Sequence, residues 1–269
     1  MNTQPDSHIE PRGAAPRIGD THVTQRMTTA PPRARARITG GIYLLFFLTA
    51  LLGEFFTQQA GISGIGALPG DAAATATNIM AHESFYLLGV ALGLISTACY
   101  VAVTALFYQL FRPVSRSLAF VAAFFGLVGC AITAFGSLFQ LAPLAVLGSN
   151  LYLSAFTVKQ VQALALLFLH LNAQVGSIAL VFFGLFQILI GYLIFRSTFL
   201  PRILGVLMAL AGLGWLIFLA PPLAALLLTY LEVLGILAEA LLMLWLLVMG
   251  VNAQRWKEEA SAARASIRT

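Results

Sequence analysis

Apolar residues run along this chain in blocks of membrane length, separated by short clusters of Arg, Pro and Gly. A helix needs about 20 predominantly apolar residues to cross the roughly 30 Å hydrocarbon core of a bilayer. Six blocks meet that requirement: 38–57, 83–111, 118–141, 174–195, 203–220 and 229–251. The punctuation between them has turn chemistry. Arg112-Pro113-Val114-Ser115-Arg116 closes the second block, Pro143 follows the third, Pro201 sits in the basic turn before the fifth, and Pro221-Pro222 stops it. The pattern predicts an all-α polytopic transmembrane helix bundle.

Two segments fit the pattern less well. Residues 58–81 are rich in Gly, Ala and Thr around Pro69, Gly70 and Asp71, and read as a loop. Residues 157–171 (TVKQVQALALLFLHL) have helical periodicity, but the face with Lys159, Gln160, Ala163 and His170 is partly polar. Counted as a span, this segment would invert everything after it and move Arg196 and Arg202 to the other side. It is therefore expected to be an interfacial or re-entrant helix, or an extension of the fourth span. Outside the 38–251 transmembrane domain, residues 1–37 are polar and rich in Pro and Arg, and read as a disordered cytoplasmic tail. They show no signal-peptide core, and Met27 offers a second candidate start. Residues 252–269 read as a polar C-terminal tail.

Charge sets the expected orientation. With the N-terminus inside, the inner flanks hold Arg33, Arg35, Arg37, Arg112, Arg116, Arg196, Arg202, Arg255, Lys257, Arg264 and Arg268, and the outer loops hold only Lys159. Lys and Arg accumulate in cytoplasmic loops, so the chain is expected N-in and C-in, in the inner (plasma) membrane. Composition agrees. Charged residues make up 9% and hydrophobic residues 59% of the 269 positions, against about a quarter charged in soluble domains. The net charge of +5 does not indicate nucleic acid, because the arginines stand at the ends of apolar runs.

In lipid, helices associate through close packing at small residues. Ala122, Gly126, Cys130 and Ala134 fall four apart on the third span, Gly89 and Gly93 form a GxxxG on the second, and Gly205, Ala209 and Gly212 line the fifth. Cys99 and Cys130 lie equally far from the 112–117 turn and read as small packing residues.

Intramembrane ionisable groups are the first candidates for function, because a charge at mid-membrane costs on the order of 3 kcal/mol or more. Glu232 and Glu239 are seven apart, so they share one helix stripe with Gly235 between them, separated by about 10 Å along the axis. Glu239 falls near mid-membrane and is expected to be protonated, either as a proton or cation relay or as a structural acid bonded to Gln187. A second candidate is an outer vestibule built from Glu54, His82, Glu83, Lys159 and His170, with Gln140 near it. Its two histidines and scattered carboxylates lack zinc spacing, so no metal is assigned. A Lys159–Glu pair is the ordinary use of those charges.

Enzyme signatures are sparse. Gly61-Ile62-Ser63-Gly64 resembles the tetrapeptide of rhomboid proteases but lies in a Gly-rich loop with no helix after it. HExxH, P-loop and dinucleotide-binding patterns are absent. Only His82 and His170 are available for a haem. No catalytic residue and no cofactor are assigned.

The stretch FFGLFQILIGYLIFRSTFLPRILGVLMALAGLGWL from Phe182 to Leu216 is similar to the most recognisable part of a family of bacterial membrane proteins, domain-of-unknown-function family 4386. Arg37-Ile38 with Gly40 and Tyr43-Leu44 also match, as does LWLLVMGV at Leu244–Val251. The resemblance covers about residues 36–254. It implies a bacterial inner-membrane protein of six helices and brings no activity or catalytic residue with it. The Phe199–Gly205 turn has a plain physical use, with Pro201 starting a helix and Arg202 anchoring it at the interface. The reading is a non-enzymatic bundle that binds a lipid or protein partner, or forms a homo-oligomer. The alternative is a small proton- or cation-coupled transporter or channel using Glu239 and Glu232.

Overall fold

The computed structural model describes residues 31–60, 71–148 and 155–265; the side chains of 221–225 and 228 are outside that description. The described residues form eight α-helices: α1 (Pro32–Gln59), α2 (Ala72–Ala81), α3 (Glu83–Phe111), α4 (Arg116–Gly148), α5 (Val158–Arg196), α6 (Arg202–Trp215), α7 (Pro221–Val248) and α8 (Ala253–Ala265). A 3-10 turn, Leu216–Leu219, prolongs α6. Six of these segments are long and apolar enough to cross a membrane, and the chain is an all-α integral membrane protein.

The six spans close into a ring. In sequence, α1 packs on α3, α3 on α4, α4 on α5, α5 on α6, α6 on α7, and α7 returns to α1. Among the described residues, the backbone of α7 approaches no span besides α1 and α6. The outward face is apolar throughout, with Leu45, Leu48, Leu51 and Phe55 of α1 and Phe120, Phe124, Phe135 and Leu138 of α4 all exposed. An exposed surface of that kind suits hydrocarbon, where burying apolar side chains is no longer the driving force.

Close backbone contact takes over that role. Gly191 of α5 lies against Gly205 and Ala209 of α6, and Gly184 against Gly212. A Cβ on Gly191 would stand 2.6 Å from the Gly205 carbonyl oxygen. Across α1 and α3, Gly89 abuts Gly53 and Thr57, while the Gly93 amide lies near Gly53 and the position of its own Cβ is open space. Gly126 fits against Thr104 and Phe186 in the interior. Cys130 and Ala134, next on the same stripe, line an open crevice of about 320 Å³ between α3 and α4 with Thr97 and Val101. Both cysteines are free.

Several boundaries differ from the sequence reading, each for a local reason. The helix α1 begins at Pro32 instead of residue 38, so its first turn and a half carry Arg33, Arg35 and Arg37. The loop expected over 58–81 contains α2, an alanine-rich helix started by Asp71, whose carboxylate accepts from the Ala73 amide at 2.9 Å. The third span continues through Pro143 to Gly148. Residues 157–171 are the beginning of the 39-residue α5, started by a Thr157/Gln160 capping box. The extension alternative is therefore the one observed. At 1.5 Å per residue α5 is about 58 Å long, nearly twice the roughly 30 Å hydrocarbon thickness. Its polar tip with Lys159 and Gln160 reaches past the span, and further along the overhang Leu169 shares a small second core with Ala60, Ile79, Tyr86 and Val90. Pro221-Pro222 open α7 directly instead of leading into a loop before residue 229.

The expected polar C-terminal tail is helical over α8. Gly250, at φ +70°, makes the turn into it, a backbone conformation that glycine adopts freely. There Trp256 donates through Nε1 to the Leu110 carbonyl of α3 at 2.9 Å. The turn between α5 and α6 is held on both sides: the Thr198 amide donates to Glu259 at 2.9 Å, and Arg255 donates to the Thr198 carbonyl at 3.1 Å. The rest of the expected N-terminal tail, residues 1–30, and residues 266–269 lie outside the described residues, as does the Gly61–Gly64 tetrapeptide.

Candidate functional site

Four spans aim polar side chains at one point inside the ring. On α7, Gly235, Ala238, Leu242 and Leu246 recur at helical spacing and are buried, so this stripe faces inward. Glu239 sits on its edge, ten residues after Thr229. Gly235 lies against the Trp215 ring, a fit that any side chain would disturb. On α1 the inward stripe is Ala36, Thr39, Gly40 and Tyr43; on α3 it is Tyr100, Val103, Thr104, Phe107 and Phe111; on α5 it includes Phe186, Gln187, Ile190 and Ile194.

The carboxyl of Glu239 is the meeting point. Gln187 donates through Nε2 to Glu239 Oε1, and the Tyr100 hydroxyl donates to the same oxygen at 3.3 Å. Glu239 thus bonds to α3 and α5, helices its own backbone does not approach. Tyr43 turns its hydroxyl as a donor toward both Glu239 and Tyr100, without completing a hydrogen bond of ordinary geometry to either. The Gln187 Oε1 atom is likewise buried without a partner, and so is Thr104 Oγ1. These partners are sealed, with Tyr43 at 0%, Tyr100 at 4% and Gln187 at 1% exposure, while Glu239 keeps some surface.

Aromatic rings wall the cluster. Tyr43 meets Tyr100 and Phe107 edge-on, with centroids at 6.0 and 5.9 Å, and Tyr100 meets Phe183 at 5.1 Å. Buried polar groups without partners are uncommon and call for an explanation. Here two of them, Tyr43 Oη and Gln187 Oε1, belong to side chains that face Glu239.

The remaining candidate residues fall into separate places. Glu232 and Glu54, from α7 and α1, lie close enough to repel one another. Gln58 donates to Glu54 at 3.0 Å. His82 stands exposed at the α2–α3 junction, its ring stacked on Phe85 at 6.3 Å, with Glu83 exposed beside it. Lys159 is exposed at the tip of α5 and pairs with no carboxylate among the described residues. His170 lies further along α5 with a buried, unpartnered Nε2. Among the described residues no three His, Cys, Asp or Glu side chains gather to hold a metal ion. Gln140 offers its backbone carbonyl, which accepts from the Tyr86 hydroxyl.

The sequence reading named Tyr43 only within the family resemblance and passed over Tyr100. A signal for them was present: tyrosine prefers the membrane–water interface, and each of these lies well inside an apolar span.

Comparison with curated proteins and with solved structures finds no match. The family model described as Domain of unknown function (DUF4386) matches residues 38–250, from early in α1 to the turn before α8. The whole ring of spans and the Tyr43–Tyr100–Gln187–Glu239 cluster fall inside that match, and the chain belongs to this family.

Proposed function

We propose that this chain is a small proton- or cation-coupled transporter or channel in which Glu239 is the ion-carrying group. The single observation behind this reading is the placement of Glu239. It is an acid on the inner side of a closed ring of spans, bonded across the ring to two helices, with the unpartnered Tyr43 Oη and Gln187 Oε1 on the side chains that face it. No Lys, Arg or His contributes a positive charge to those bonds. Glu54 and Glu232 act as the gathering carboxyls toward one end of the path, two helical turns (about 10 Å) from Glu239. The arginine-bearing turns face the cytoplasm and both termini lie there, a reading supported by the segregation of Arg and Lys to one set of loops.

The test is Glu239→Gln in proteoliposomes. The variant keeps the shape and the bond to Gln187 and removes the titratable group. A pH-gradient-driven flux should be abolished while yield and folding are retained. The competing reading, a bundle that only binds a lipid or protein partner, requires wild type and variant to be alike in flux.

A further inference from the structure

The donor and acceptor pattern round Glu239 goes further than its position and names the ion. Two donors, Gln187 Nε2 and the Tyr100 hydroxyl, point at Glu239 Oε1. Those donor hydrogens carry partial positive charge, so the side of the acid they occupy is closed to a metal cation. Tyr43 turns its hydroxyl toward the acid as a third donor, and what remains is Gln187 Oε1, buried and able to accept a hydrogen bond that nothing supplies. A hard cation asks for a shell of about six or more oxygens. A single hydrogen asks for one acceptor.

We propose that the ion taken at this site is a proton, carried on Glu239 Oε2 and donated to the free oxygen of Gln187, and that no metal cation replaces it. This rests on the transport reading above for its place in a cycle, but the binding step stands by itself. An O–H bond forms at Oε2, the carboxylate becomes a neutral acid, and no other reactant is consumed. The neutral acid then carries one donor and one acceptor oxygen. The acceptor is already served by Gln187 and Tyr100, and the donor meets the orphaned Gln187 oxygen, which closes a two-bond acid–amide pair. Loading also removes the isolated negative charge, the costly species at this depth. The groups facing Glu239 are Tyr43 from α1, Tyr100 from α3 and Gln187 from α5. Cys130 of α4 lies behind Tyr100, and α6 brings no ionisable group besides Arg202 at its first residue. Glu232 is two turns away on α7 itself. No neighbouring base competes for the proton.

The experiment is infrared difference spectroscopy of the full chain in lipid nanodiscs, stepped from mildly acidic to alkaline pH in sodium and then in potassium buffer. The wild type should show a carboxylic-acid carbonyl band that vanishes at alkaline pH and is the same in both salts. The band should be missing in Glu239→Gln, and it should move in Gln187→Leu, which removes the acceptor and the amide donor together. A band absent at every pH, or one removed by sodium at constant pH, overturns the proposal. A band unmoved by Gln187→Leu does the same. Should the variants fail to fold, the wild type alone decides the question through a hydrophobic carbodiimide, which attacks protonated carboxyls. Adduct at Glu239 that forms in acid, is lost in alkali and is not blocked by sodium supports the proton; labelling blocked by sodium, or unaffected by pH, refutes it. The two readings separate cleanly. A titrating band with no flux sinks the transporter and keeps the proton site, whereas sodium-dependent flux without the band does the reverse.

Discussion

Adding one methyl group at Gly191 tests whether the ring is held by close backbone packing. The Cβ of Gly191→Ala would lie 2.6 Å from the Ala209 amide nitrogen, 2.6 Å from the Gly205 carbonyl oxygen and 3.0 Å from Ala209 Cβ. Ordinary non-bonded contact is about 3.5–4.0 Å, so α6 must retreat by roughly 1 Å along this seam. Two of the three atoms are backbone and have no rotamer to change. The displacement also loosens the second meeting point, Gly184 with Gly212, two turns away. Overpacking of this kind costs about 1–3 kcal/mol. Opposing it, Ala is favoured over Gly inside a helix by about 0.5–1 kcal/mol. Gly93→Ala carries the same propensity gain and meets nothing within 4 Å, so the difference between the two variants isolates the steric cost. That cost corresponds to a separation of roughly one to two factors of ten in the unfolding equilibrium. The assay is reversible unfolding in mixed micelles with a rising fraction of denaturing detergent, followed by tryptophan fluorescence. Trp215 sits beside Gly184 and reports on the seam. Coincident curves for Gly191→Ala and Gly93→Ala would refute the reasoning, and so would a greater loss at Gly93.

Further outcomes follow from single contacts. Trp256→Phe keeps most of the ring and removes the donor to the Leu110 carbonyl, so it should cost about 0.5–1.5 kcal/mol in the same unfolding assay. Gly250→Ala forces a left-handed conformation on an ordinary residue, at about 1–2 kcal/mol; protease should then cut the α7–α8 junction faster than in the wild type. For orientation, alkaline phosphatase fused within 60–80 should be active and fused at 114 or 199 inactive; the opposite pattern would invert the sidedness proposed above.

Much of this protein was legible before any fold was known, because hydrocarbon leaves the chain few options. Apolar runs of spanning length have to become helices that satisfy their own backbone, and arginine clusters mark the ends of those helices. That reasoning located six spans and drew attention to Glu239, Glu232 and Gln187. Local sequence was a poorer guide to where helices stop. Pro143 looked like a terminator, yet α4 runs through it, since the loss of one helical bond is tolerated in a helix packed along α5. The 157–171 segment read as an interfacial or re-entrant helix or as an extension of the fourth span, because its polar face alone left those alternatives open. It is the overhanging start of α5, and its polar tip lies beyond the span.

Tertiary structure alone decided which side chains meet. Seven-residue spacing placed Glu232 and Glu239 on one stripe, but nothing in the order of residues says that α7 closes a ring against α1. Nor does it say that Tyr43, Tyr100 and Gln187, separated along the chain by whole helices, converge on one carboxyl. The helices that carry them come close at glycines such as Gly40, which lies against the α7 backbone at Leu247, and Gly89, which lies against Gly53. Periodicity along one helix reveals the face it turns inward; the neighbour waiting on the other side is a property of the packed ring.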